Sequence, residues 1–169
     1  MRSLILVAAL AAISAPALAE QGPGAWEVVR ETHEIDSSVD YTAMLESEKP
    51  VFGTIGQQEK ATLTVGCGSH GITLNVIWPD FIDRDLSSDL TSVLWRLDDA
   101  KPVGDTWTAD LQVAGPRYGK PSKELLHRLS SGSRLIVQIS DHHGKQEAAF
   151  SLSGLAEIEQ TVLAMPGCR

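Results

Sequence analysis

Cysteine is nearly absent from this chain: Cys67 and Cys168 are the only two among 169 residues. Two thiols so far apart exclude a Cys-x-x-Cys redox centre and a cysteine-rich zinc module. Basic residues are the minority, with Lys+Arg 14 against Asp+Glu 22 and a net charge of -8. That balance excludes a nucleic-acid binder, which needs clustered Lys and Arg. It equally excludes docking on an anionic membrane surface. Aromatic residues make up only 5%. There is no internal repeat and no low-complexity tract. One apolar run exists, Leu4 to Ile13, and it is too short to span a bilayer, which takes about 20 residues.

That run reads as export machinery. Met1-Arg2 gives a positive start, the apolar run follows, and Ala17-Leu18-Ala19 supplies the small-x-small pattern of a cleavage site. Residues 1–19 are therefore expected to be a secretory signal peptide and residues 20–169 a single globular domain. Losing Arg2 leaves 13 Lys+Arg against 22 Asp+Glu, a net charge of −9. No cysteine adjoins the cleavage site, so a lipid anchor is not indicated. No transmembrane anchor is expected after cleavage, and the destination is periplasmic or secreted.

The remainder reads mostly as strands. Trp26 to Arg30 is a first candidate. Val39, Tyr41, Ala43 and Leu45 alternate with polar residues, a period of two. Residues 46–60 read mainly as loop. Ala61, Leu63, Val65 and Cys67 alternate up to the turn Gly68-Ser69-His70-Gly71, and Ile72, Leu74, Val76 and Trp78 return on one face. Residues 79–90 are acidic and irregular. Further strands are expected at 93–97, 107–113, 135–139 and 148–152. Ser122 and Ser153 are candidate caps for two helices carrying Leu125, Leu126, Leu129 and then Leu155, Ile158, Val162; Gly132 is placed to end the first of them. The fold class is mainly β (α+β): a twisted antiparallel sheet or sandwich of about seven strands with two short helices, the last at the C-terminus. Trp26, Trp78, Trp95 and Trp107 fall in phase with inward aliphatic positions, which reads as core or edge packing, with a sugar-binding aromatic patch as the alternative.

Cys67 shares its strand face with Leu63 and Val65, so it points inward. In an oxidising compartment, a Cys67–Cys168 disulfide is expected to clamp the last helix to the sheet. Closing a loop of about 100 residues contributes on the order of 4.7 kcal/mol in the chain-entropy account.

Several chemical motifs fail on context. Gly66-x-Gly68-x-x-Gly71 matches a dinucleotide fingerprint, but strand-like Ile72 to Val76 follows where that motif needs a helix. Asp83-x-Asp85-x-Ser87-x-Asp89 opens like a calcium loop but has Ser88 and Leu94 where an EF-hand has Gly and Glu; a solvated acidic loop is the better reading, with an irregular site including Asp80 as the alternative. Asp141, His142 and His143 hold ligand-type side chains in one turn. Adjacent histidines rarely converge on one ion without a further ligand, and His70 is the candidate helper if its turn shares that end of the sheets. No Gly-x-Ser-x-Gly elbow is present. No catalytic residue, cofactor or metal is assigned.

The order of landmarks resembles a family. Cys67 ends a strand before a hairpin with Val76-Ile77-Trp78. Then come Trp95-Arg96-Leu97-Asp98-Asp99-Ala100-Lys101-Pro102, Trp107, Leu135 to Ile139, Ala149-Phe150-Ser151-Leu152-Ser153-Gly154-Leu155 and a closing Cys168. These resemble the VasI/TagO family of type VI secretion-associated proteins over most of residues 26–168. Two departures stand out: Gly66 where members usually show Arg, and Met165-Pro166-Gly167 interrupting the helix before Cys168. The resemblance implies an exported, non-enzymatic accessory or binding protein of the bacterial envelope with a protein partner. Arg96, Asp98 and Asp99 are the binding-surface candidates, their competing role being a strand-end salt bridge. The alternatives are a periplasmic inhibitor, a small ligand-binding module, or a metal-dependent hydrolase using the histidine-bearing turns. Protein isolated without reductant is expected to begin at Glu20 and to weigh two hydrogens less than its reduced form by intact-mass spectrometry. Free thiols in the native protein would contradict the bond.

Overall fold

Alternation of period two lets each strand bury one face, and the chain uses it throughout. The computed structural model describes residues 20–85 and 87–168; the leader expected at residues 1–19 lies outside the described residues. In chain order the elements are β1 (Glu20–Gln21), β2 (Glu27–Thr32), β3 (Val39–Glu46), β4 (Val51–Phe52), β5 (Gln58–Glu59), β6 (Thr62–Gly68) and β7 (Gly71–Ile77). They continue as β8 (Leu90–Leu97), β9 (Val103–Asp110), β10 (Val113–Gly115), α1 (Lys120–Leu129), β11 (Arg134–Asp141), β12 (Gly144–Ser151) and α2 (Leu155–Ala164).

The expected mainly-β fold is present, with the second helix at the C-terminus. Its main sheet has ten strands in the order β1-β2-β3-β6-β7-β10-β9-β8-β11-β12, and the pairs are antiparallel. β4 and β5 form a separate small hairpin. The strands beyond the expected seven or so are mostly short pieces. One comes from a misread run: 107–113 alternates like one strand, yet it folds back at Leu111, with Asp110 opposite Val113. Leu111 adopts φ 50 and is exposed, so this apolar residue belongs to a tight turn. Residues 46–60, expected as loop, contain the β4–β5 hairpin.

The sheet curls until β12 meets the chain that leaves β3. Glu48 N–H donates to the Ala149 carbonyl at 2.7 Å, and the Arg134 guanidinium grips the Glu48 carboxylate through two 2.8 Å bonds. Each partner perturbs the other: the bond from Arg134 lowers the Glu48 pKa, and Glu48 raises that of Arg134. Inward side chains from both halves join the helix leucines in one core, in which all four tryptophans are buried.

The helices fill the remaining opening. α1 packs on β7, and α2 packs on α1 and β6. Leu155, Ile158 and Val162 line the buried side of α2. Neither serine caps as expected. α1 starts at Lys120 after Gly119, and Ser122 is buried in the first turn, its hydroxyl donating to the Arg117 carbonyl at 3.0 Å. Gly154, with φ 88, takes the position before α2 in place of Ser153. α1 also stops earlier than Gly132, with Ser130 as its C-cap. Cys168 then returns to β6, and the Cys67–Cys168 disulfide joins residues 101 apart in sequence, with Cα atoms 6.0 Å apart.

Asp98 works inside this frame. It turns the chain after β8 with φ 50. Its carboxylate accepts the Ser133 hydroxyl at 2.6 Å, the Ser133 amide at 3.0 Å and the Arg134 amide at 2.9 Å. The Ser133 hydroxyl and then its amide hold the Asp98 carboxyl below the usual range.

Two outcomes are expected. Replacing both cysteines by alanine should cost about 2–5 kcal/mol in denaturant unfolding; a loss well under about 1 kcal/mol would mean that the disulfide does not constrain the unfolded chain. Asp98→Asn should lower Tm at neutral pH. The benefit of a depressed carboxyl exists above its unfolded pKa of about 3.9 and is lost as pH falls through the lower folded value, so the difference from wild type should shrink in acid.

Candidate functional site

β7, β9, β11 and the β4–β5 hairpin all reach one end of the curled sheet, and the crossing segment after β7 ties them together. Trp78 N–H donates to the Gln112 carbonyl at 2.7 Å, and Ile82 N–H donates to the Leu111 carbonyl at 2.9 Å. Ile82 also bridges Asp141, and Asp83 N–H donates to the Ser140 carbonyl at 3.0 Å. The hairpin tip joins in, because the Thr54 hydroxyl donates to the Pro79 carbonyl at 3.2 Å. Asp80 is thus fixed from both sides, directly against the β11–β12 turn.

That turn is tight. Asp141 pairs with Gly144, so His142 and His143 occupy the two positions between them. Gly144 has φ 107, a value open to glycine and costly for other residues. The buried Asp141 carboxylate accepts the His143 amide at 2.8 Å, which fixes the turn. Because the two histidines share a turn, their side chains need not alternate, and their ring centroids lie 3.9 Å apart. Phe52 of β4 lies against His143 at 5.6 Å between centroids.

Asp80 is only 1% exposed. Its Oδ1 accepts the Phe81 amide at 2.7 Å. Its Oδ2 lies 3.0 Å from His142 Nδ1 and 3.4 Å from His143 Nε2, yet neither approach has hydrogen-bond alignment and Oδ2 is left without a partner. A buried unpaired oxygen is costly. The segments that meet here carry exposed apolar side chains: Phe52 and Ile55 of the β4–β5 hairpin, Ile77 at the end of β7, Phe81 next to Asp80, and Leu111 of the β9–β10 turn.

The structure separates other residues that share the same chemistry. His70 does not join the cluster. It sits before β7, whereas Asp80 follows β7, and seven residues of strand separate them by roughly 20 Å. His70 instead faces Tyr118. The Gly66–Gly71 motif forms the β6–β7 hairpin turn, with Gly68 opposite Gly71. In the acidic segment, Asp85 accepts the Ser87 amide and hydroxyl at 2.8 and 2.7 Å, and Asp89 pairs with Arg84.

Of the binding-surface candidates, Asp98 spends its carboxylate on Ser133 and Arg134. Arg96 and Asp99 form no ion pair with another described residue, so the expected strand-end salt bridge is replaced by hydrogen bonds to the chain entering β11. These residues lie at the far end of β8 from the histidine turn. Sequence reasoning paired the histidines with the wrong helper. The available signal was Asp80 beside Pro79, an acidic residue two positions past Trp78, the buried tryptophan that follows β7.

A cleft of about 680 Å³ lies beside β9 and β10 and includes Arg84, Arg117 and Tyr118. Arg84 is already engaged by Asp89 at 2.6 Å and by the Ala109 carbonyl at 3.1 Å, so that guanidinium is not free for an anionic ligand. Among the described residues, no helix is long and apolar enough to cross a membrane. Compared with family models, curated proteins and solved structures, the chain matches none.

Proposed function

We propose that this chain is an exported, non-enzymatic binding or accessory module of the bacterial envelope that engages a protein partner through the loop end of its sheet. The observation that carries the reading is the apolar rim formed there by Phe52, Ile55, Phe81 and Leu111. Exposed apolar groups gathered in one place mark interaction surfaces, whereas singly scattered ones are ordinary. The disulfide supports the exported half of the reading, since such bonds persist in oxidising compartments. The resemblance to type VI secretion-associated proteins supplies the proposed setting, and a gene neighbourhood rich in secretion components would support it.

The test combines location with surface mutation. The mature protein should fractionate with the periplasm, and in-cell cross-linking should capture an envelope protein. Ile55→Asp with Phe81→Asp should reduce that capture at least tenfold while leaving Tm within a few degrees, because both side chains are exposed. Undiminished capture would remove the loop end as the binding surface. A purely cytoplasmic protein would remove the whole reading.

A further inference from the structure

Two imidazole nitrogens and one buried carboxylate oxygen converge at the loop end. His142 Nδ1, His143 Nε2 and Asp80 Oδ2 all lie within 4.8 Å of one another. A tetrahedral Zn²⁺ with ligand bonds of about 2.0–2.1 Å holds its donor atoms about 3.3 Å apart. The carboxylate oxygen stands 3.0 Å and 3.4 Å from the two nitrogens. Two of the three separations are those of donors sharing an ion, and the third, between the two nitrogens, is within 4.8 Å.

Orientation separates this arrangement from an ordinary ion pair. A histidine simply neutralising Asp80 would aim an N–H at the oxygen. Neither approach has that alignment, and Oδ2 is left buried with no hydrogen-bond partner. A cation between the three atoms would supply the interaction that Oδ2 lacks.

The surroundings are built to hold the donors still. Backbone bonds on both sides fix the Asp80 segment, Asp141 fixes the His143 amide, and Phe52 packs beside the His143 ring. Orienting partners of this kind are what tune a metal site. Both histidines are solvent-accessible, so an ion can reach the site.

We propose that Asp80, His142 and His143 bind one divalent transition-metal ion, with Zn²⁺ as the reference ion. Two nitrogen donors and a single carboxylate suit zinc, copper or nickel; Mg²⁺ and Ca²⁺ require more oxygen. Three protein ligands leave a coordination position for water or for a group from a partner. The site does not depend on the proposed partner, so it is tested on the purified chain alone.

Tag-free mature protein, stripped with chelator, is titrated with ZnCl₂ by calorimetry and then analysed for bound metal. One ion per chain and a zinc-dependent rise in Tm are expected, with no response to MgCl₂. His142→Gln with His143→Gln changes only turn residues and should weaken binding at least tenfold. Asp80→Asn should do the same. Because Asp80 is buried and its replacement also perturbs the fold, the histidine variant decides the matter. His70→Gln, at the other end of the sheet, should bind as wild type. The site is wrong if wild-type protein binds no zinc, if the double histidine variant binds undiminished, or if His70→Gln loses binding equally.

Discussion

A sheet of ten strands has one broad apolar face and two raw edges, and both must be covered. This chain meets the two demands by curling the sheet. Curling brings the inward residues of β3, β6 and β7 against those of β8, β11 and β12, and it carries β12 to the chain leaving β3. The backbone bond from Glu48 to Ala149 and the two-pronged Arg134–Glu48 contact fasten that approach. The opening that remains is filled by α1 and α2, whose leucines complete the core. The Cys67–Cys168 bond ties the tail to β6 after Pro166-Gly167 has ended the helical run.

The same geometry sorts the molecule into two ends with different work. One end carries the helices, the disulfide and the Asp98 turn, where polar groups are consumed by structure. The other carries short hairpins, an apolar rim and a carboxylate whose second oxygen is buried and unpaired. Leu111, held at φ 50 by a turn whose carbonyl accepts Ile82, belongs to that second end. Strained backbone and unmet polar groups tend to collect where a protein binds something. Here Leu111 and the unpaired Asp80 oxygen share the loop end with the proposed metal site and partner surface, while the left-handed Asp98 serves the frame at the opposite end.

Legibility followed the kind of signal each residue carried. The β6–β7 hairpin was readable because alternation and a glycine turn agree. The β9–β10 turn was not readable, since Leu111 continues the apolar alternation and only its backbone reveals the reversal. Ser122 and Ser153 look like caps because serine is a common cap, yet Gly119 and Gly154 take the positions before the helices and Ser122 is buried inside the first turn of α1. His142 and His143 were visible as ligand-type residues. His70 is only a conditional candidate as their helper, because both histidine-bearing segments are hairpin turns and a sequence does not say at which end of a sheet a turn will fall.

Residue periodicity alone determined that this chain would be antiparallel and mainly β, that its tryptophans would be buried, and that Cys67 would face the core. Each of these follows from local pattern, because a strand shows its two faces within a few residues. Only the tertiary structure decided that the sheet curls until β12 meets the chain leaving β3. It also decided that Asp98 would serve the frame and that Asp80 would meet a turn about sixty residues later. Those outcomes depend on strand order and stagger, which arise from contacts between distant segments and leave no mark in local periodicity.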